Sequence, residues 1–272
     1  MSNLRRYKNL CDLHTHTIYS LHAMSSPTEM VESAMSRGLK YIGLTDHYYP
    51  ISVDSYPNNF NNTLWDLNSS ARLKDTEALF EPLSDKIHVL AGYEYNLFDI
   101  EKVHSIKNLN IIGLHNWFVK DENHTLEAFS EELYAAIKMG KYKMIAHLER
   151  GLDIFKTDNP FDKRLNEIFE NVIKLCIEYG VVLEVNTASL HSNGRFADYY
   201  RIDYMKKWLK IAKEYGCNIC INSDAHTKYD VGNISKALSV LEEIDYPVDN
   251  IVNFDESKIR YYFVFPRYEP II

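Results

Sequence analysis

The sequence predicts an α/β fold in which successive β/α units close into a barrel, and three observations carry that reading. Short apolar or β-branched runs recur along the chain, most of them separated by segments of helical periodicity, the pattern of βα units. Polar, metal-competent residues stand at the C-terminal ends of almost all these runs, which is the end where a β/α barrel does its chemistry. No Pro/Gly/Ser-rich linker or low-complexity break interrupts the series, so residues 1–272 read as one domain rather than two. The alternative is an open doubly wound sheet. Glycine is absent from residue 1 to residue 37, so no Gly-rich phosphate loop follows the first strand and nucleotide-cofactor readings lose their main support.

The elements follow in order. Leu10–Leu13 is the first expected strand, and Ser26 and Pro27 supply an N-cap and N1 proline for a helix that reaches Arg37 and stops at Gly38. A second strand, Tyr41–Leu44, leads into a Tyr/Pro/Asn-rich loop, Tyr48 to Asn62, long enough to carry function, and then a helical stretch from Leu64 to Phe80. Strands three and four, Ile87–Tyr95 and Leu109–Leu114, are joined by a connection that could hardly hold a full helix. Helices over Thr125–Met139, Phe161–Tyr179, Tyr204–Tyr215 and Ile234–Ile244 alternate with strands Lys143–Ala146, Val181–Val185 and Asn218–Ile221. Gly140, Gly180 and Gly216 sit just past helix ends, as C′ stops. The tyrosine-rich run Ile259–Phe265 reads as a closing, packing strand.

Composition narrows the function classes. With 46% hydrophobic and 25% charged residues the chain can bury a sizeable core. A net charge of −8 is the wrong sign for long nucleic acid or an anionic membrane as the main partner. Four scattered cysteines make no disulfide framework, and no stretch approaches the roughly 20 apolar residues of a membrane span, so the expectation is a soluble cytoplasmic protein. Its oligomeric state is not readable.

The eleven histidines are placed rather than scattered. Strand one runs into Asp12-Leu13-His14-Thr15-His16, with His22 beyond; strand two ends in Thr45-Asp46-His47, strand three in Gly92-Tyr93-Glu94 and strand four in Gly113-Leu114-His115. Strand five ends in Ala146-His147, strand six in Glu184-Val185-Asn186 and strand seven in Asn222-Ser223-Asp224-Ala225-His226. Alternation puts His14 and His16 on one face, which lets one metal collect both imidazoles. A single histidine at a strand end is usually a hydrogen-bonded structural residue; their convergence on one rim is what argues for ligands. His88, His104, His124 and His191 lie elsewhere and are expected to be solvated or locally bonded, His191 being the one to revisit. Cys217 and Cys220 form a C-x-x-C, but residues three apart in a strand face opposite ways, so core packing is expected rather than a shared metal.

These motifs, in this order and across nearly the whole chain, resemble the PHP superfamily, named for polymerase and histidinol phosphatase. The likeness is greatest to small stand-alone bacterial PHP phosphatases and includes the stretch from Ser223 to Asn253. It implies a distorted, TIM-like (β/α)7 barrel holding up to three divalent metals, with zinc, manganese or iron all suited to imidazole and carboxylate ligands. Carried over by position, one metal uses His14, His16, Glu94 and Asp224. A second shares Glu94 and adds His115 and His147; the third uses His22, His47 and His226.

The activity so implied is metal-dependent hydrolysis of a small phosphomonoester, histidinol phosphate or a related compound, by a hydroxide bridging the ions. Asp46 and a water on the third metal are the candidate proton donors to the leaving alkoxide, Asp46 serving otherwise as an anchor for a ligand imidazole. His47 and His226 are counted with Asp46 as catalytic, and Arg150, Lys156 and Arg195 are candidates to grip the phosphate. The amidohydrolases also begin with His-x-His, but the metal-bridging lysine they usually carry is missing from Ile112-Gly113-Leu114-His115. Two alternatives stay open: a nuclease or nucleotide phosphatase acting on mononucleotides or short oligonucleotides, and a metal-binding interaction module without catalysis.

Overall fold

Seven strands, all parallel, lie side by side in sequence order. They are β1 (Cys11–Thr15), β2 (Tyr41–His47), β3 (His88–Asn96), β4 (Ile111–Gly113), β5 (Met144–Ala146), β6 (Val182–Asn186) and β7 (Ile219–Asn222). The computed structural model describes residues 3–48, 70–97, 108–114, 125–152, 163–190 and 199–265. The helices within them are α1 (Pro27–Ser36), α2 (Ser70–Phe80), α3 (Leu126–Lys138), α4 (Leu148–Leu152), α5 (Lys163–Tyr179), α6 (Tyr199–Glu214), α7 (Ser235–Glu243) and α8 (Glu256–Ile259). None of these is long and apolar enough to cross a membrane.

Local chemistry sets the boundaries. Ser26 and Glu29 form a reciprocal capping box at the start of α1, and Thr125 caps α3 by accepting from the Ala128 amide. Gly38, Gly140, Gly180 and Gly216 take the left-handed φ that stops a helix. The α5 helix buries Leu165, Ile168, Phe169, Val172, Ile173 and Cys176 along one stripe. Each large apolar side chain so buried stabilises by roughly 1.5–3 kcal/mol.

Two apolar layers result from strand alternation. Leu183, Val185, Ile219 and Ile221 point outward into the layer shared with α3, α5 and α6. Leu13, Tyr41, Ile111, Met144, Val182 and Cys220 point inward and fill the barrel below the rim. Cys217 belongs to the outer layer and Cys220 to the inner one. The interior is narrow: a Cβ on Gly92 would lie 1.8 Å from the Leu109 carbonyl oxygen, so glycine is required there.

The barrel is distorted at one seam. Among the described residues, β1 meets the chain just past β7 in a single bridge, Thr15–Ala225, and side chains substitute for the missing ladder. Asn222 Oδ1 accepts from the Leu13 amide at 2.7 Å, and Asp12 accepts from the Ser223 amide and hydroxyl and from the Gly232 amide. Below them Asn253 accepts from the Ile221 amide and donates to the Ile221 and Cys11 carbonyls, standing in for a strand between the two.

The expected closing strand, Ile259–Phe265, is instead helical: α8 passes into a π-helical turn, Arg260–Val264. Asp255 caps α8, and the spacing of Ile259 and Phe263 puts both on one helical face, where they join the inner layer as a plug. The short α4, directly after β5, was not expected from the sequence. The loop from residue 49 to residue 62 lies outside the described residues.

Candidate metal centre

The β1 strand gains a residue against β2: Asp12 faces Ile42 and Thr15 faces Leu44, three steps against two. Such a bulge re-aims side chains. Leu13 stays in the inner layer, and beyond the bulge His14 and His16 also turn inward to meet Glu94 from β3. Asp12, before the bulge, is left for the seam.

The donor atoms of His14, His16, Glu94 and Asp224 converge. His14 Nε2 lies 3.0 Å from His16 Nε2, 3.4 Å from Glu94 Oε2 and 3.6 Å from Asp224 Oδ1. His16 Nε2 lies 3.4 Å from Glu94 Oε2 and 3.2 Å from Asp224 Oδ1. Four ligands tetrahedrally placed about 2.05 Å from a zinc-sized ion are separated by about 3.3 Å. The five distances scatter around that value, so His14 and His16 offer their donors, with Asp224 on one side and Glu94 on the other, at separations that suit a divalent cation. Glu94 then reaches the neighbouring position with its other oxygen, 2.7 Å from His147 Nε2.

Towards solvent the donors become histidines alone. His22 Nε2 and His226 Nε2 approach to 2.8 Å, and His16, His47 and His226 present ring nitrogens within 4.8 Å of one another. His47 also places Nδ1 3.0 Å from Glu94 Oε2. The outer group is thus continuous with the inner one: His16 meets His47 and His226 as closely as His22 does.

The imidazoles are held from behind. His14 Nδ1 donates to Glu184 Oε1 at 2.8 Å, which directs the Nε2 lone pair inward. Glu184 also accepts from Asn222, Asn186 and the His147 amide. His226 Nδ1 donates to the Asp224 carbonyl at 2.9 Å, and His16 Nδ1 lies 3.0 Å from Ser20 Oγ. In the sequence Glu184 stands only as part of the strand-six motif. The signal available was a fully ionisable side chain at an inward strand position, with Asn186 two residues on along the same face. His147 and Asp224 carry positive φ, 34° and 55°, a backbone conformation that costs on the order of 1–3 kcal/mol and concentrates at functional sites.

The electrostatics divide the cluster. Burial lowers the His14 pKa, but Glu184, Glu94 and Asp224 outweigh it and hold the group well above its ordinary value. Burial, reinforced by His47 and His226, drives His16 well below, and the same causes bring His22 to about 4. Burial raises Asp224, yet His14, His16 and Arg150 overcome it and keep the carboxylate strongly ionised. His16 and His22 are thereby neutral beside an ionised carboxylate, as cation binding requires, whereas His14 must give up a proton to bind one.

Arg150 sits on α4 at the rim, its Nη2 3.3 Å from Asp224 Oδ2 and its Nε donating to Ser189 Oγ. Asp46 faces away from the donor cluster and accepts from Thr17, Ser20 and Arg72. His88 stacks on Tyr41, away from the rim. His115, Lys156 and Arg195 lie outside the described residues, as do His104, His124 and His191.

Fold and site together define a seven-stranded β/α-barrel protein with a histidine- and carboxylate-rich metal-binding rim. The sequence profile of the PHP domain matches residues 12–188, more than half of the chain, and the protein belongs to that family. A protein of Thermoanaerobacter sp. (strain X514) named "probable phosphatase" is 29% identical over 262 residues, covering 94% of both chains. Another of that name, from Clostridium botulinum (strain Langeland), is 29% identical over 265 residues, covering 93% of each. Among solved structures, histidinol phosphate phosphatase from Lactococcus lactis, crystallised with zinc, L-histidinol and phosphate, superposes with a TM-score of 0.55. It is 18% identical, over 88% of this chain and 95% of that one, and shares the fold.

Proposed function

We propose that this chain, as one PHP-type domain over residues 1–272, is a metal-dependent phosphoesterase that hydrolyses a small phosphomonoester, histidinol phosphate or a chemically related compound. The observation that carries the reading is the convergence of the His14, His16, Glu94 and Asp224 donor atoms with the Arg150 guanidinium at their edge. The phosphatase names of the relatives and the ligands of the Lactococcus enzyme support it.

Up to three divalent ions, zinc, manganese or iron, are assigned to the carried-over positions. The first takes His14, His16, Glu94 and Asp224, the second Glu94, His115 and His147, and the third His22, His47 and His226. Such ions supply an activated water near neutral pH and offset charge on the phosphoryl oxygens. The chain's own residues do the rest. Glu184 keeps His14 in the Nδ1–H tautomer, and Ser20 does the same for His16. Arg150 exchanges its contact with Asp224 for a phosphate oxygen, and Lys156 and Arg195 are assigned to the same anion. Proton delivery to the leaving alkoxide belongs to the open edge of the cluster, where the His47 and His226 side chains are 11% and 31% exposed. Asp46 is assigned to positioning, because four hydrogen bonds already converge on it. A cytoplasmic location belongs to the same reading, all four cysteines being free thiols.

A screen of phosphate release from histidinol phosphate, sugar phosphates and nucleoside monophosphates tests it, with Glu94→Gln as the control. Turnover of one class by wild type and a loss of at least about 1,000-fold in the variant is expected. Equal, slow release by both proteins moves the non-catalytic binding module ahead.

A further inference from the structure

The Asp46 carboxylate organises the loop between β1 and α1. Oδ1 accepts from the Thr17 amide at 2.6 Å and from Ser20 Oγ at 2.7 Å. Oδ2 accepts from Thr17 Oγ1 at 2.9 Å and from Arg72 Nη1 at 2.8 Å. A serine hydroxyl has one proton, and Ser20 gives it to Asp46. Towards His16 Nδ1, 3.0 Å away, Ser20 Oγ is therefore an acceptor, and it also accepts from the His47 amide at 3.1 Å. His16 must carry its proton on Nδ1, and its Nε2 lone pair is aimed at the donor cluster.

Arg72 closes this chain from outside. It rises from α2, its side chain 10% exposed, with its guanidinium carbon 4.9 Å from the ring centres of both Tyr19 and Tyr93. It therefore grips the β1 loop twice, through the charge on Asp46 and through the Tyr19 ring. That loop carries His22 to its 2.8 Å approach to His226. Neither of these grips involves a metal-directed nitrogen.

We propose that Arg72 is a positioning residue of the metal centre. By fixing Asp46 it holds Ser20 where that hydroxyl sets the His16 tautomer, and by fixing the loop it holds His22 against His226, and so it governs occupancy of the His16 position and of the outer histidine pocket. The occupancy part rests on the reading that the rim histidines bind metal; the tautomer part does not.

The test compares wild type with Arg72→Met, which keeps side-chain length and contact with the tyrosines but removes the charge. Imidazole nitrogen NMR of the metal-free proteins reads the tautomer directly, a signal that general loosening of the fold would not move selectively. A single Nδ1–H form of His16 in wild type and a mixture in Arg72→Met is expected, with Ser20→Ala giving the same mixture while the Arg72–Asp46 pair persists. After loading with zinc, chelator competition is expected to show the equivalents held by His16 and by the His22–His47–His226 group bound about 10–100-fold more weakly in Arg72→Met, the remaining one unchanged, with Arg72→Lys in between. If Arg72→Met does not fold, Arg72→Lys and Ser20→Ala carry the comparison. An unaltered His16 tautomer with full zinc retention in the variants overturns the proposal. A wild-type chain that takes up no zinc sinks the metal reading, and the tautomer comparison still decides what Arg72 does.

Discussion

Replacing Glu184 by Gln removes a charge and almost no volume, yet every group facing this carboxylate is a donor. His14 Nδ1 and Asn222 Nδ2 address Oε1; Asn186 Nδ2 and the His147 amide address Oε2. Glutamine must turn its own NH2 towards one of these pairs, so two hydrogen bonds to a charged acceptor are lost at a fully buried site. At about 1.5–3 kcal/mol each, less relaxation, the metal-free protein loses roughly 3 kcal/mol, or about 6–12 °C in Tm. Metal affinity responds to two opposed effects. Loss of the orienting carboxylate weakens binding about 10–100-fold. Loss of the same carboxylate also lowers the raised His14 pKa, so a proton competes less with the ion. Proton competition vanishes at high pH, so chelator titrations should show a larger deficit at pH 9 than at pH 7. Unchanged affinity at both values, or a deficit that shrinks as pH rises, refutes the orienting role of Glu184.

Because His14 is held well above the usual histidine range, zinc loading at neutral pH should release a proton from it; calorimetry in buffers of different ionisation enthalpy measures this, and a buffer-independent heat contradicts it. His22, lowered to about 4, binds a proton more readily when unfolded. Stability of the metal-free protein should therefore be present above about pH 6.5 and fall as pH drops towards 4, by a modest amount since the ring is partly solvated, as denaturant midpoints would show. Asn253→Ala removes the side chain that bridges Cys11 and Ile221, and a loss of about 2–4 kcal/mol in thermal unfolding is expected. Asp224→Asn should fold almost as well as wild type, since asparagine tolerates φ of 55°, while metal content falls; Asp224→Val should cost a further ~1–2 kcal/mol.

Much of the candidate site was legible because residues able to bind a metal announce themselves chemically. His14, His16, His47, Glu94, His147, Asp224 and His226 lie at or within a few residues of strand C-terminal ends, and parallel strands deliver those ends to one rim whatever their exact boundaries. Helix stops were equally local, being written in single residues such as Ser26 and Gly38. The tyrosine-rich run near the C-terminus misled because β-propensity measures fit to a half-buried surface, and the helical plug offers such a surface too.

Sequence alone thus determined the order of elements, the donor types and the end of the barrel at which they gather, since all three follow from periodicity and side-chain chemistry. What only the tertiary structure decided is which neighbour each polar group meets. The bulge that turns His14 inward, the seam closed by Asp12, Asn222 and Asn253, and the supports behind His14 and His16 all join residues far apart in the chain. A hydrogen bond depends on ångström-scale placement of both partners, which no local pattern records.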